Sequence, residues 1–252
     1  MDVLVVGAGA MGRWFGRVLD ADSPGAVSLA FADTDSAAAR EAADSLGARA
    51  LAADDTETFD AVCIAVPIPA AIEAIAAYAP RAERAVLDVT GTMAGPLAAM
   101  REHAPDCERA SVHPLFAPAN EPGNVPVVVE ERGPVVDAVW EALARRGNDL
   151  FETTAAEHDE AMETVQARTH AAVLAYGLAA EEVDPAFHTP VSAGLADLVE
   201  QVTGGEGRVY ADVQAAFDGA DDVAAAADRI ATADRTAFEE LYAAIAIDGE
   251  ER

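Results

Sequence analysis

The stretch at residues 3–12, Val3-Leu-Val-Val-Gly7-Ala-Gly9-Ala-Met-Gly12, decides the fold. Four consecutive apolar residues are typical of a strand buried on both faces of a parallel sheet. The glycines that follow have G-x-G-x-x-G spacing, and residues 11–20 have a helical pattern. In such a unit the first glycine makes the turn, the second lets the backbone approach a pyrophosphate, and the third lets the helix pack on the strand. The stretch therefore predicts a dinucleotide-binding unit.

An acidic residue follows the second predicted strand of this unit. The strand is expected over residues 27–32, and Asp33 comes directly after it, about 20 residues beyond the last glycine of the turn. A carboxylate at this point accepts hydrogen bonds from ribose hydroxyls and repels a 2′-phosphate, which favours NAD over NADP. The predicted cofactor is NAD, and its predicted binding residues are Gly7, Gly9, Ala10, Met11, Gly12, Asp33, Val66 and Pro67.

Short apolar runs and helical patterns alternate through the rest of the first 154 residues. This alternation predicts an α/β protein with a doubly wound, Rossmann-type, largely parallel sheet. Ligands of such sheets bind outside the carboxyl ends of the strands, so we expect one crevice to contain Asp33, Pro67, Thr90 and His113. The remaining strands are predicted near residues 48–51, 61–66, 85–89, 109–113, 125–130 and 149–153, with helices over 36–45, 69–79, 96–103 and 134–146.

The pattern changes to helices without strands after residue 154. One long helix is predicted over 155–183, and others near 191–202, 207–217 and 221–246. We therefore predict an NAD-binding domain over residues 1–154 and an all-helical substrate and dimerisation domain over residues 155–252. A helical segment so rich in alanine is expected to pack on a second copy of the chain, which predicts a homodimer.

The charge of the chain is extreme. Its 252 residues include 45 acidic and 16 basic residues, for a net charge of −29, and every basic residue is arginine. The absence of a basic patch and the negative field argue against nucleic acid as a partner. The acids are scattered through the predicted helices, a pattern that favours adaptation to concentrated salt, where screening is strong. The alternative is an ordinary acidic protein encoded by GC-rich DNA.

Targeting and metal-binding signals are also absent from the sequence. No segment approaches the ~20 apolar residues of a membrane span. Met1 leads directly into a strand, without the basic region of a secretory signal. The spacing of Cys63 and Cys107, and that of His158 and His170, matches no metal site. These features predict a cytoplasmic protein with a small-molecule substrate, no membrane partner and no metal.

A second motif, Ser111-Val-His-Pro-Leu-Phe-Ala-Pro118, follows a predicted strand. The residue before a proline is driven to an extended conformation, so His113 is held by a fixed backbone where the strand ends. A neutral imidazole beside a nicotinamide ring can accept the proton of an alcohol that loses hydride. The alternative is a structural histidine that caps the strand.

Together these motifs resemble the prephenate/arogenate dehydrogenase family of tyrosine biosynthesis. The family has His-Pro-Met-Phe-Gly-Pro where this chain has residues 113–118, and Asp-x-x-Ser-Val-Lys-x-Gly-Pro-Leu where it has residues 88–97. Segments at 157–159, 166–170, 175–178 and 210–212 also have counterparts. The resemblance implies NAD-dependent oxidative decarboxylation of prephenate to 4-hydroxyphenylpyruvate. It also implies that His113 is the catalytic base and that the substrate is bound by Thr90, Thr92, Arg168 and His170.

Three residues of the family's pattern are replaced in this chain. The serine that supports the histidine falls at Gly91, a lysine falls at Met93, and the arginine that binds a substrate carboxylate falls at Ala193. Arg168 or Arg208 is then the candidate for the missing cation. The replacements keep open arogenate as the substrate, or a regulatory protein that binds NAD without turnover. A hydroxyacid dehydrogenase is disfavoured, because such enzymes often use a lysine and this chain has none.

Overall fold

The computed structural model describes residues 1–52 and 55–249, with side chains described through residue 245. The chain divides into two compact units, Met1–Glu160 and Ala161–Arg252. None of the helices within the described ranges is long and apolar enough to cross a membrane.

The first unit is built on an eight-stranded sheet. Its strand order is β3-β2-β1-β4-β5-β6-β7-β8, and every neighbouring pair is parallel except β6 with β7. The chain moves outward from β1 to β3 and then returns to the other side of β1, which opens a crevice at the carboxyl ends of the central strands. The predicted Rossmann-type sheet is thus confirmed. The strands are β1 Asp2–Val6, β2 Ser28–Ala32, β3 Arg49–Ala50, β4 Phe59–Ile64, β5 Ala82–Asp88, β6 Glu108–Val112, β7 Asn124–Glu131 and β8 Asp149–Glu152.

Helices cover both faces of this sheet, and each face has its own apolar core. On β1, Val3 and Val5 pack into one cluster, whereas Leu4 and Val6 pack into the other. Alternation of side chains along a strand, with both faces covered, is the reason for four apolar residues in a row. The helices of this unit are α1 Ala10–Asp22, α2 Ser36–Leu46, α3 Ala71–Tyr78, α4 Ala94–His103 and α5 Pro134–Arg145.

The remaining elements are helical. α6 Ala155–Met162 is followed by a π-helical segment, Glu163–Arg168, and then by α7 Thr169–Ala179. The prediction of one regular helix over 155–183 was therefore wrong in two respects. The π-helical segment interrupts the regular spacing, and the backbone turns extended at Ala180. Glu181 and Glu182 follow this end. If the helix continued through them, their negative charges would be repelled by the negative pole of the helix dipole.

The last predicted helix, over 221–246, is in fact two helices. The second unit ends with α8 Pro190–Thr203, α9 Gly207–Ala216, α10 Ala220–Thr232 and α11 Arg235–Gly249. The break occurs because Ala233 is extended, with φ −68° and ψ 133°. The carboxylate of Asp234 then accepts a hydrogen bond of 2.9 Å from the backbone N–H of Ala237, as an N-cap does.

Candidate active site

The glycine turn between β1 and α1 is shaped by two close backbone approaches. Gly7 has φ +105°, and a Cβ atom there would lie 2.2 Å from the carbonyl oxygen of Ala65. A Cβ atom on Gly12 would lie 1.9 Å from the carbonyl oxygen of Gly7. By contrast, no atom lies within 4 Å of a Cβ built on Gly9. The outer two glycines are thus required by packing, whereas Gly9 leaves the backbone accessible to a ligand.

The start of α1 completes an anion site at this turn. The helix begins at Ala10, with Gly9 as its N-cap. The N–H groups of the first turn, which include those of Ala10, Met11 and Gly12, have no partner within the helix and lie at its positive pole. Val66 lies against the turn, and Pro67 follows it at the end of β4. These residues fit a dinucleotide, with the pyrophosphate at the helix N-terminus.

Asp33 lies beside the same turn. It follows β2, and its Oδ2 atom accepts a 2.7 Å hydrogen bond from the backbone N–H of Ala8. Its Oδ1 atom accepts a 2.8 Å hydrogen bond from the N–H of Asp35. The carboxylate is therefore fixed next to the glycine turn, where it suits the ribose hydroxyls of NAD.

His113 is held at the carboxyl end of β6, along the same edge of the sheet. Its backbone N–H donates to the carbonyl of Pro126 at 3.1 Å, and the residue is only 7% exposed. Its Nδ1 atom lies 2.9 Å from Nε2 of His158, and the two rings meet edge to face. Burial, together with the nearby His158, lowers the pKa of His113 to about 3, although Asp159 opposes the shift. The imidazole is therefore neutral near pH 7.

The carboxylate of Asp159 lies next to the second of these histidines, His158. Nδ1 of the buried His158 lies 2.8 Å from Oδ1 of Asp159. The Asp159 carboxylate also accepts hydrogen bonds of 3.1 Å from the backbone N–H groups of Met93 and Ala94, at the start of α4. Burial acts to raise the pKa of Asp159, but the hydrogen bonds from His158, Met93 and Ala94 outweigh it and lower the pKa. The carboxylate is therefore ionised at neutral pH.

The loop after β5 lies next to His113. Asp88 is fully buried, and burial raises its pKa to about 6 although the hydrogen bonds from Thr90 act in the opposite direction. The hydroxyl of Thr90 lies 2.6 Å from Oδ1 of Asp88 and 3.1 Å from the carbonyl of Thr92. A Cβ atom on Gly91 would lie 3.8 Å from Nε2 of His113. The loop therefore brings Gly91 to the histidine, while the Thr90 hydroxyl is turned to its own loop.

The other two residues predicted to bind substrate belong to the helical unit. The ring of His170 lies edge to face with Tyr210 at 4.8 Å, and burial lowers its pKa. The guanidinium of Arg168 donates to Asp222 at 2.6 and 2.9 Å and to Glu163 at 3.3 Å. Two acids already neutralise this arginine, which weakens its candidacy as a cation for substrate. Its role there remains a prediction.

The sequence analysis did not predict that His158 and Asp159 lie next to His113. The neighbouring Glu157 has a different role: its carboxylate accepts a 3.1 Å hydrogen bond from the N–H of Thr154 at the start of α6. The signal available in the sequence was the adjacent His-Asp pair itself. Within residues 1–52 and 55–249, no group of three or more His, Cys, Asp or Glu side chains is placed to hold a metal ion.

The glycine turn and the buried histidine lie at one edge of one parallel sheet, which is the arrangement of a dinucleotide-dependent oxidoreductase. Residues 1–87 match a family described as an oxidoreductase family with an NAD-binding Rossmann fold, which confirms the predicted cofactor class. Over 241 residues the chain is 35% identical to the 4-amino-4-deoxyprephenate dehydrogenase of Streptomyces pristinaespiralis, covering 86% of this chain and 78% of the relative. The chain belongs to the prephenate-type dehydrogenase family that contains this enzyme, so the predicted resemblance is confirmed.

Solved structures of the same type share the fold. Prephenate dehydrogenase from Aquifex aeolicus, in complex with hydroxyphenyl propionate and NAD+, superposes with a TM-score of 0.71 at 15% identity, over 100% of this chain and 92% of that chain. Synechocystis arogenate dehydrogenase gives a TM-score of 0.60 at 16% identity, over 100% and 99% of the two chains. Both comparisons confirm the Rossmann architecture with C-terminal helices.

Proposed function

We propose that this chain is an NAD-dependent prephenate dehydrogenase, which converts prephenate to 4-hydroxyphenylpyruvate and carbon dioxide in tyrosine biosynthesis. The observation that carries the proposal is the buried, neutral His113 at the same sheet edge as the glycine turn. Membership of a family that includes a dehydrogenase of the closely related 4-amino-4-deoxyprephenate supports it.

The chemistry requires a proton acceptor at the ring hydroxyl of the substrate. NAD+ supplies the acceptor for the hydride that leaves C4. Nε2 of His113 takes the hydroxyl proton as C4 gains carbonyl character. Loss of the C1 carboxylate as carbon dioxide leaves an electron pair that makes the ring aromatic, and the ring oxygen recovers the proton from His113. The histidine is neutral at the start and at the end, so the reaction consumes no external base.

We also propose that Thr90 and Thr92, in the loop after β5, and Arg168 and His170 bind the substrate, as the family resemblance implies. Thr92 and Thr90 belong to that loop, and His170 belongs to α7. Prephenate carries two carboxylates, so a protein of net charge −29 needs a dedicated cation for it. Arg208 is held less tightly than Arg168, because its ion pair with Glu206 spans 3.8 Å and is exposed.

A second candidate substrate is 4-amino-4-deoxyprephenate, in which an amino group replaces the C4 hydroxyl. The 35% identical relative favours it, because that enzyme is named for this substrate. The same steps apply, with an imine in place of the carbonyl. Gly91 itself places no hydroxyl beside Nε2 of His113, at the position where the family's pattern has a serine. Arogenate, with its amino group in the side chain, is the third candidate.

For domains and assembly, we propose an NAD-binding domain over residues 1–154 and a helical domain over residues 155–252 that forms a homodimer. The support is the number of large apolar residues that are exposed on the helical unit. Light scattering in molar salt should give twice the 26.0 kDa chain mass, and a mass of one chain would contradict the dimer. Among the large apolar residues whose side chains are described, the most exposed are Leu178 at 90%, Phe187 at 81%, Val191 at 74% and Tyr242 at 70%.

We further propose that the protein works in a cytoplasm of high salt and binds neither nucleic acid nor membrane. The support is the excess of 45 acids over 16 arginines. Such a surface repels phosphates and is tolerated where the Debye length is short.

The decisive assay mixes the purified protein, in molar salt, with NAD+ and each of the three substrates, and follows NADH together with carbon dioxide. We expect equimolar NADH and carbon dioxide from prephenate or from its 4-amino analogue. Binding of NAD without NADH from any of the three would identify a regulatory protein and reject the proposed activity.

A further inference from the structure

We infer that His158 and Asp159 are positioning residues, which fix the tautomer of His113 and take up the positive charge of the proton that His113 captures. The inference rests on the proposed function in one respect, the role of His113 as proton acceptor. Its geometric basis is a continuous line of hydrogen bonds, His113 to His158 at 2.9 Å and His158 to Asp159 at 2.8 Å.

The direction of these hydrogen bonds is set by Asp159. An ionised carboxylate only accepts. Two of its donors are the backbone N–H groups of Met93 and Ala94, which belong to the positive end of α4 and favour the charged form. Nδ1 of His158 must therefore carry the hydrogen of the third bond. In the neutral form of His158, which has one N–H, Nε2 is then an acceptor.

This acceptor determines the tautomer of His113. Nδ1 of His113 must donate to His158, so the lone pair of the His113 ring is on Nε2. Nε2 is the atom that lies 3.8 Å from a Cβ built on Gly91, in the loop at the carboxyl end of β5. The nitrogen that carries the lone pair therefore lies next to the loop that follows β5, at the sheet edge where ligands of this fold bind.

The same hydrogen bonds also explain how the buried site can accommodate the positive charge of the captured proton. Burial lowers the pKa of His113 to about 3, so a positive charge confined to its ring is costly. When Nε2 takes the substrate proton, Nδ1 can pass its own proton across 2.9 Å to His158, and the charge then lies beside the Asp159 carboxylate. The transfer reverses when the aromatic product recovers its proton.

Histidine tautomers can be measured directly, without turnover. The chain has five histidines, so two-bond ¹H–¹⁵N spectra of the ¹⁵N-histidine-labelled protein are assignable with His113→Gln and His158→Gln variants. At pH 7 we expect Nδ1–H and a deprotonated Nε2 in both His113 and His158. In Asp159→Asn, the amide can donate to His158 and reverse both bonds, so His113 should shift to the Nε2–H form. An Nε2–H tautomer of His113 in the unmodified protein would overturn the inference.

Kinetics on the substrate that the enzyme oxidises provide the second test. Asp159→Asn and His158→Gln should each lower kcat by roughly 100-fold or more, with KM and NAD affinity nearly unchanged. Glu157→Gln is the matched control, because it makes the same carboxylate-to-amide change in the same helical turn, at a carboxylate that hydrogen-bonds Thr153 and Thr154. Wild-type kcat in both test variants, with His113→Ala inactive, would reject the positioning role but retain the proposed function. If no substrate turns over, the proposed function fails, and the tautomer spectra still decide the hydrogen-bond direction.

Discussion

The Asp33 carboxylate accepts a 2.7 Å hydrogen bond from the N–H of Ala8, which ties the end of β2 to the glycine turn. The residue that we propose reads the ribose is thus fixed to the turn that we propose holds the pyrophosphate. Such preorganisation lowers the entropic cost of binding, because the acceptor does not have to be ordered when the cofactor arrives.

Replacing Asp33 by Ala should weaken the preference for NAD over NADP. The change removes hydrogen bonds to a charged acceptor, each worth ~1.5–3 kcal/mol, and removes the charge that repels a 2′-phosphate. We expect the ratio of kcat/KM for NAD to that for NADP to fall by about 10-fold or more. Asp35→Ala is the control, because Asp35 caps α2 through the N–H of Ala37. Unchanged discrimination in Asp33→Ala would show that the ribose is read elsewhere.

Replacing His113 by Ala should lower kcat by roughly 100- to 10,000-fold, the usual contribution of a positioned general base. NAD affinity should stay close to that of the wild type, because the glycine turn and Asp33 are untouched. Steady-state kinetics and fluorescence titration with NADH measure the two quantities. His103→Ala, in the last turn of α4, should behave like the wild type. Full turnover in His113→Ala would remove this residue from the mechanism.

The sheet was predictable because its strands are short apolar runs punctuated by glycine, proline and acids. The glycine turn was predictable for a related reason, since its chemistry is local: Gly7 and Gly12 have no alternative residue when a Cβ atom would lie about 2 Å from a backbone oxygen. The helical unit contains fewer positions at which a close backbone contact allows only one residue type. Alanine favours helix everywhere, so neither the π-helical segment nor the break at Ala233 is encoded by periodicity.

The site itself was predictable only in part. His113 could be found from its local Pro114 context, but its partner His158 is 45 residues away in the chain and meets it only through tertiary packing. The same holds for Arg168, whose acidic partner Asp222 lies on another helix. A sequence gives the charge of an arginine but not the carboxylates that already neutralise it.

Replacing Gly91 by Ser should change substrate preference. Its Cβ atom would lie 2.9 Å from Cδ1 of Ile68, a flexible side-chain end that can shift, and 3.8 Å from Nε2 of His113. The added hydroxyl can donate to the oxygen of a C4 hydroxyl group and still leave that oxygen a second lone pair. An amino group has one lone pair, and that pair is needed to form the C=N bond as the hydride leaves, so it is not available to accept a hydrogen bond from the serine. We therefore expect kcat/KM to rise for prephenate relative to 4-amino-4-deoxyprephenate, and an unchanged ratio would refute this account.

Stability should increase with salt. The Debye length falls from ~10 Å at about 0.1 M to ~3 Å at about 1 M, which screens repulsion among the excess acids. We expect the thermal midpoint of unfolding to rise over this range in sodium chloride. Sucrose is the control, since it stabilises compact states without screening charge. A midpoint independent of salt would contradict the proposed adaptation.

The buried Asp88 should make stability fall as pH rises from about 4 to about 6. Its pKa is raised from 3.8 to about 6 by burial, so across this window the native state holds a proton that the unfolded state has released. The stabilisation is therefore present below the ordinary pKa and lost as pH rises through the raised one, a change of about 3 kcal/mol. In Asp88→Asn this dependence disappears, because the amide does not titrate. The unfolding free energy of the variant relative to wild type, measured with urea in molar salt, should rise by that amount between pH 4 and pH 7. A difference that does not change with pH would mean that the Asp88 carboxyl titrates near its ordinary pKa.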